Sequence, residues 1–148
     1  MKLTKRILHH KTKDVNFIYP LQNKELGKQL LAFMHKTGGI GLASNQVGLR
    51  YRAFVMSVDN NDRVFFNPTI LKLGQNKSLY AEGCLSYPNE SVELERPDTL
   101  DLLYFDAHGN QHVETFSNLE ARVIQHEVDH LDGLTMYDRK NGTNDKQP

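Results

Sequence analysis

The chain has little cysteine: one residue, Cys84, in 148, which excludes an intramolecular disulfide and fits a reducing compartment such as the cytoplasm. It also lacks a dominant charge. Its 18 Lys and Arg balance 18 Asp and Glu, so the formal net charge is zero and general nucleic-acid affinity is not expected. No apolar run is long enough to span a bilayer, and no apolar signal core follows the basic Met1–Arg6 opening. Internal repeats and low-complexity tracts are missing too. A hydrophobic content of 39% argues against disorder. One domain over 1–148 is expected, monomeric and without membrane contact, burying roughly two thirds of its chain surface.

The patterning that is present reads as an α+β domain. Residues 21–36 have helical spacing, with Leu21, Leu26, Leu30, Phe33 and Met34 on one face and Gly38-Gly39 as the stop. Residues 52–58 read as a strand, followed by the turn Asp59–Asp62 and a second strand through Phe66. Pro68 and Gly74 bracket another short strand. Val92, Leu94 and Arg96 alternate, Leu100–Phe105 is strand-like, and Asp106–Asn110 is a hairpin turn into His112–Phe116. Ser117-Asn118-Leu119-Glu120 then has the form of a capping box, and Gly133 marks the end of the helix it opens. From Asp138 to Pro148 no apolar residue occurs, so a frayed tail is expected there. Strands grouped between helices indicate mainly antiparallel sheets packed around the second helix.

That second helix carries His126-Glu127-Val128-Asp129-His130. Residues four apart share a helical face, so His126 and His130 can bind one divalent metal ion, with Glu127 beside them as a base for water. Leu119, Val123, His126 and His130 form one stripe, while Glu120, Gln125 and Asp129 point elsewhere. The histidine pair should therefore face a core or cleft. A catalytic site needs three protein ligands and one open position. The metzincin continuation places its histidine where Met136 stands, and a thioether is a poor ligand for a borderline cation. Asp138 and Asp145 lie in the polar tail. Upstream, Glu82-Gly83-Cys84-Leu85-Ser86 offers a thiolate. A lone cysteine is more often a small buried hydrophobe, but a two-histidine motif short of a ligand reverses that preference.

A third segment, Gly39-Ile40-Gly41-Leu42-Ala43-Ser44-Asn45-Gln46, alternates glycine with aliphatics and ends in glutamine. The three segments, in this order, resemble those of peptide deformylases, with Ser44 replacing the family's second alanine. The resemblance runs from about residue 20 to Tyr137. It implies removal of the N-formyl group from the initiator methionine of nascent polypeptides, with the ribosome as a candidate partner. Cys84, His126 and His130 would hold the ion, Fe²⁺ by resemblance, with Zn²⁺, Ni²⁺ or Co²⁺ able to replace it. Glu127 would move the proton. Gln46 and the backbone N–H of Leu85 would stabilise the oxyanion. The backbone at Ile40-Gly41 and Glu82-Gly83 would pair with an extended N-formyl-methionyl peptide. Ile40, Leu119 and Val123 would line the methionine pocket, although ordinary core packing explains Leu119 and Val123 equally well.

Arg122 stands where an aliphatic residue is common in the family, and Ser91 where bacterial members often carry an arginine. Many of those members also add a helix beyond the last motif, for which no sequence is evident here. Arg96 and Asp129 could form an ion pair behind the site or an ordinary solvated pair. His9, His10, His108 and His112 fall in terminal or hairpin segments, and His35 closes a helix. Two other readings stay open. One is a metallopeptidase with a different third ligand; the other is a structural metal in a binding module.

Overall fold

A computed structural model describes residues 1–142. Its strands are β1 (Gly41–Ala43), β2 (Ala53–Val58), β3 (Asn61–Leu73), β4 (Lys77–Cys84), β5 (Tyr87–Pro97), β6 (Thr99–Phe105) and β7 (Gln111–Ser117). Its helices are α1 (Pro20–Lys36), α2 (Asn118–Leu131) and α3 (Met136–Lys140), with a 3-10 turn over Ser44–Val47. Five strands form an antiparallel sheet in the order β1-β2-β3-β6-β7, and β4 and β5 form a separate hairpin. The α+β architecture with antiparallel sheets around α2 is the one expected.

Strand β2 shows how the sequence dictates the layers. All six of its residues are buried, because helices cover both faces of the sheet. Phe54, Met56 and Val58 pack with Val123, Ile124 and Val128 of α2. The alternate residue Val55 packs with Leu30 and Met34 of α1. A strand covered on both sides reads as a continuous apolar run, as this one does. Phe54 and Phe65 stack at 4.6 Å in the layer under α2. Among the described residues no helix is long and apolar enough to cross a membrane.

Four expectations are corrected. Leu21 is 76% exposed; the inward face of α1 is Asn23, Gly27, Leu30 and Met34. The polar Asn23 is tolerated there because its amide donates to the carbonyls of Asn16 and Ala107, at 3.1 and 3.2 Å. Pro68 does not begin a new strand. It lies within β3 at a register shift against β6, where its missing N–H removes no ladder bond. The capping box at Ser117 does not form: the Ser117 side chain caps nothing. That residue is held extended by pairing with Thr99, so the chain passes straight from strand to helix, with Asn118 at φ 54° making the corner. Lastly, Asp138–Lys140 are not frayed. They belong to α3, capped by Thr135, whose N–H donates to the Asp138 carboxylate at 2.9 Å. The remainder of the expected tail, 143–148, lies outside the described residues.

Candidate active site

The site is assembled where α2 passes the ends of β1 and β4. The last turn of α2 is closed by Gly133 at φ 81°, where a Cβ would lie 2.8 Å from the His9 carbonyl oxygen; this is the stop expected of that glycine. On α2, the rings of His126 and His130 meet edge to face at 4.7 Å, with their Nε2 atoms 3.1 Å apart. Cys84, the last residue of β4, places Sγ 3.3 Å from His130 Nε2. These three donor atoms lie within 4.8 Å of one another, and the described residues hold no other such group of His, Cys, Asp or Glu.

This donor set fits a metal ion. Tetrahedral ligands at ordinary zinc distances sit about 3.3 Å (N to N) and about 3.6 Å (N to S) apart, close to the separations here. The surroundings of the His126 ring favour a positive charge at this place. Burial lowers the pKa of His126, but hydrogen bonds that the ring donates to Cys84 and Glu82 outweigh it and push the ring up to about 10. Burial, reinforced by the neighbouring His126, holds His130 well below the usual range.

Behind His126 runs a buried chain of charges, of which the sequence suggests only the Arg96–Asp129 pair. Glu82 was expected to meet a substrate through its backbone. Its side chain is 3% exposed and turns inward, accepting from His126 Nδ1 at 2.9 Å and from the Arg96 Nη2 at 3.0 Å. Arg122 Nη1 donates to the other Glu82 oxygen at 2.8 Å. Burial disfavours the ionised Glu82, yet the His126 and Arg96 hydrogen bonds prevail and hold it well below the carboxylate range. Arg96 also pairs with Asp129 at 2.9 Å, and Arg139 reaches the same carboxylate at 2.8 Å. With Arg96 3% and Asp129 1% exposed, this is an interior pair and not a solvated one. The unnoticed signal for Glu82 was its spacing. Two residues before Cys84, it would share a strand face with the cysteine, but 77–84 was not read as a strand.

Gln46 sits in the 3-10 turn after β1. Its side-chain oxygen accepts the Ala43 N–H at 2.9 Å, which fixes the amide nitrogen toward Ser86 Oγ, at 3.0 Å, and Cys84 Sγ, at 3.6 Å. Glu127 is 4% exposed and lies against Gly41, where a Cβ would come within 2.6 Å of Oε2. Its Oε1 has no hydrogen-bond partner among the described residues. Burial pushes its carboxyl up to about 7, only partly opposed by the charge of His126.

These groups surround a cleft of ≈ 430 Å³. Of the residues expected at a site, Ile40, Gly41, Gln46, Glu82, Gly83, Cys84, Leu85, Leu119, Val123 and His126 line it, and Glu127 and His130 are buried beside it. Tyr80, Tyr87 and Arg122 also line the cleft, and the sequence reading did not pick out either tyrosine. Ser91 is exposed on β5 and outside the lining. His35 and His112 pair with Asp62 and Asp106, at 2.8 and 3.1 Å, and none of the other histidines joins the donor group.

A family model described as polypeptide deformylase matches residues 1–146. A peptide deformylase of Pseudothermotoga lettingae is 39% identical over 132 residues, 89% of this chain and 76% of that protein. The crystal structure of peptide deformylase from Thermotoga maritima superposes with a TM-score of 0.86 at 36% identity, over 91% of each chain. A probable peptide deformylase from the Synechococcus phage S-SSM7 gives 0.85 at 32% identity, over 93% of this chain and 99% of that one. Sequence agreement along most of the chain and backbone agreement with solved members lead to one assignment: the chain belongs to the peptide deformylase family.

Proposed function

We infer that this chain is a metal-dependent hydrolase that removes the N-formyl group from the initiator methionine of nascent polypeptides and releases formate. The observation that carries the reading is the meeting of three sequence-distant segments, around Gln46, Cys84 and His126, on one cleft. Cys84, His126 and His130 would hold one divalent ion, proposed as Fe²⁺, with Zn²⁺, Ni²⁺ or Co²⁺ as replacements. When bound, such an ion supplies Lewis acidity and makes water nucleophilic near neutral pH.

The chain's own residues supply the rest. Glu127, with a carboxyl near neutrality, takes a proton from the attacking water and passes it to the departing amine nitrogen as the formyl C–N bond breaks. The Gln46 amide and the Leu85 N–H donate to the carbonyl oxygen as it gains charge. Strands β1 and β4 each pair on one side only and both line the cleft, so an extended peptide can add between them through Gly41 and Gly83. Ile40, Leu119 and Val123 supply apolar surface for the methionine side chain. Action in the cytoplasm on chains met at the ribosome, as a monomer, completes the proposal.

The decisive assay offers the metal-loaded protein a formyl-Met peptide and an internally cleavable peptide. Formate release without internal cleavage is expected. Internal cleavage would favour a peptidase, and neither reaction with metal retained would favour a structural ion.

Two variants test the assigned roles. Gln46→Ala should lower kcat by about 10²–10³-fold with KM little changed; an effect on KM alone would remove the oxyanion role. Gly41→Ala would put a Cβ 2.6 Å from Glu127 Oε2 and 2.7 Å from Val123 Cγ1, so the carboxylate must move. Misplacing a reacting group by about 1 Å can cost 10²-fold. Turnover on that order below the parent, at unchanged metal content, is expected, and full activity would show that the position of Glu127 is not critical.

A further inference from the structure

Arg122 is the buried charge for which the proposed mechanism has no use. It is 9% exposed, lies on α2 between the cleft residues Leu119 and Val123, and lines the cleft itself. Yet its charged end is anchored away from the opening. Nη1 donates to the Glu82 carboxylate at 2.8 Å and to the Leu94 carbonyl at 3.0 Å, and Nη2 donates to the Ser78 carbonyl at 2.7 Å. The Tyr80 ring lies 5.5 Å from the guanidinium carbon. One side chain thereby ties α2, which carries both histidines, to the β4–β5 hairpin, which carries the cysteine.

We propose that Arg122 is a positioning residue for the metal site, acting through Glu82 on His126, while its methylene stem serves as part of the cleft wall. Each Glu82 oxygen receives two donors: Oε1 those of His126 and Arg96, Oε2 those of Arg96 and Arg122. A carboxylate saturated in this way has one orientation. It holds the His126 Nδ1 hydrogen and so turns the Nε2 lone pair toward Cys84 and His130. Removing the Arg122 donor leaves Glu82 Oε2 with Arg96 alone and loosens the hairpin that carries Cys84. The side chain is suited to both tasks because an arginine stem is apolar while its planar head makes several directed bonds.

The proposal rests on the metal-site reading above, and its test does not depend on catalysis. Parent, Arg122→Met and Arg122→Lys proteins are loaded with Co²⁺, and loss of the Co²⁺ absorption band is followed after adding excess chelator. Arg122→Met keeps an unbranched stem and removes every donor. Its metal release should quicken by about 10- to 100-fold, the scale for removing groups that support a ligand. Arg122→Lys, with a single charged head, should fall between. KM for a formyl-Met peptide should change less than kcat in Arg122→Met, because the wall remains. If Arg122→Met lowers Tm but releases metal at the parent rate, the residue is merely structural and the proposal fails. If Arg122→Met does not fold, Arg122→Lys decides: release at the parent rate overturns the proposal, and faster release supports it. A parent protein that binds Co²⁺ but releases no formate would sink the deformylase reading while leaving the release comparison intact.

Discussion

Glu127→Ala should lower kcat by about 10²–10⁴-fold, the usual worth of a positioned general acid–base group, while metal stoichiometry stays at the parent value. Two features of the site lead to this expectation. The carboxyl is pushed up to about 7 by burial, so near neutral pH it can both accept a proton and return it. It also lies outside the donor group of Cys84, His126 and His130, and its Oε1 has no hydrogen-bond partner among the described residues. Stability should not fall with activity. Among the described residues Glu127 Oε1 is buried without a partner, and deleting an unsatisfied polar group from an interior removes a desolvation cost. A Tm equal to or above the parent's, paired with collapsed turnover, would identify a group kept for chemistry at some expense to the fold. Retained turnover would take Glu127 out of the proton-transfer role. Lost metal would mean that it helps to hold the ion.

Cys84→Ala should abolish activity by a different route, through loss of the ion. Two imidazoles alone make a weak site, and the thiolate supplies its only anionic donor. Metal affinity should fall by more than the about 10- to 100-fold typical of removing a supporting partner. Elemental analysis after dialysis against a weak chelator measures the loss, and circular dichroism checks that the fold survives. The half-buried Cys84 packs at the edge of a small cluster of Val92, Leu94 and Met136, so truncation should leave the main core under α2 intact. An unchanged metal stoichiometry would refute the assignment of Cys84 as a ligand. Taken together, the two variants separate carrying the ion from using it.

The sequence was most legible where the physics is local. The helical face shared by His126 and His130 follows from four-residue spacing, and the stop at Gly133 follows from backbone sterics. The apolar, β-branched stretch 52–58 reads as a strand, and β2 stands there. Local signals misled where a longer-range contact overrode them. Ser117 and Glu120 form a capping box on paper, yet pairing between β6 and β7 reaches Ser117 first and holds it extended. Leu21 fits the apolar spacing of α1, yet the helix turns Asn23 inward because the Asn16 and Ala107 carbonyls are there to receive it. The strand ending at Cys84 went unseen because its residues are mostly exposed and show no apolar–polar alternation, and its partner β5 alone defines it.

By itself, therefore, the sequence determined the fold class, the face of α2 that His126 and His130 share and, through motif order, the family. Tertiary structure alone decided what stands behind His126. Glu82, Arg96, Arg122, Asp129 and Arg139 come from β4, β5, α2 and α3, and nothing in their spacing pairs them. An isolated charge in a sequence belongs on a solvated surface, because burying it alone costs several kcal/mol. Only when two strands and two helices close on one another do the opposite charges meet within hydrogen-bonding distance, and that meeting makes their burial possible.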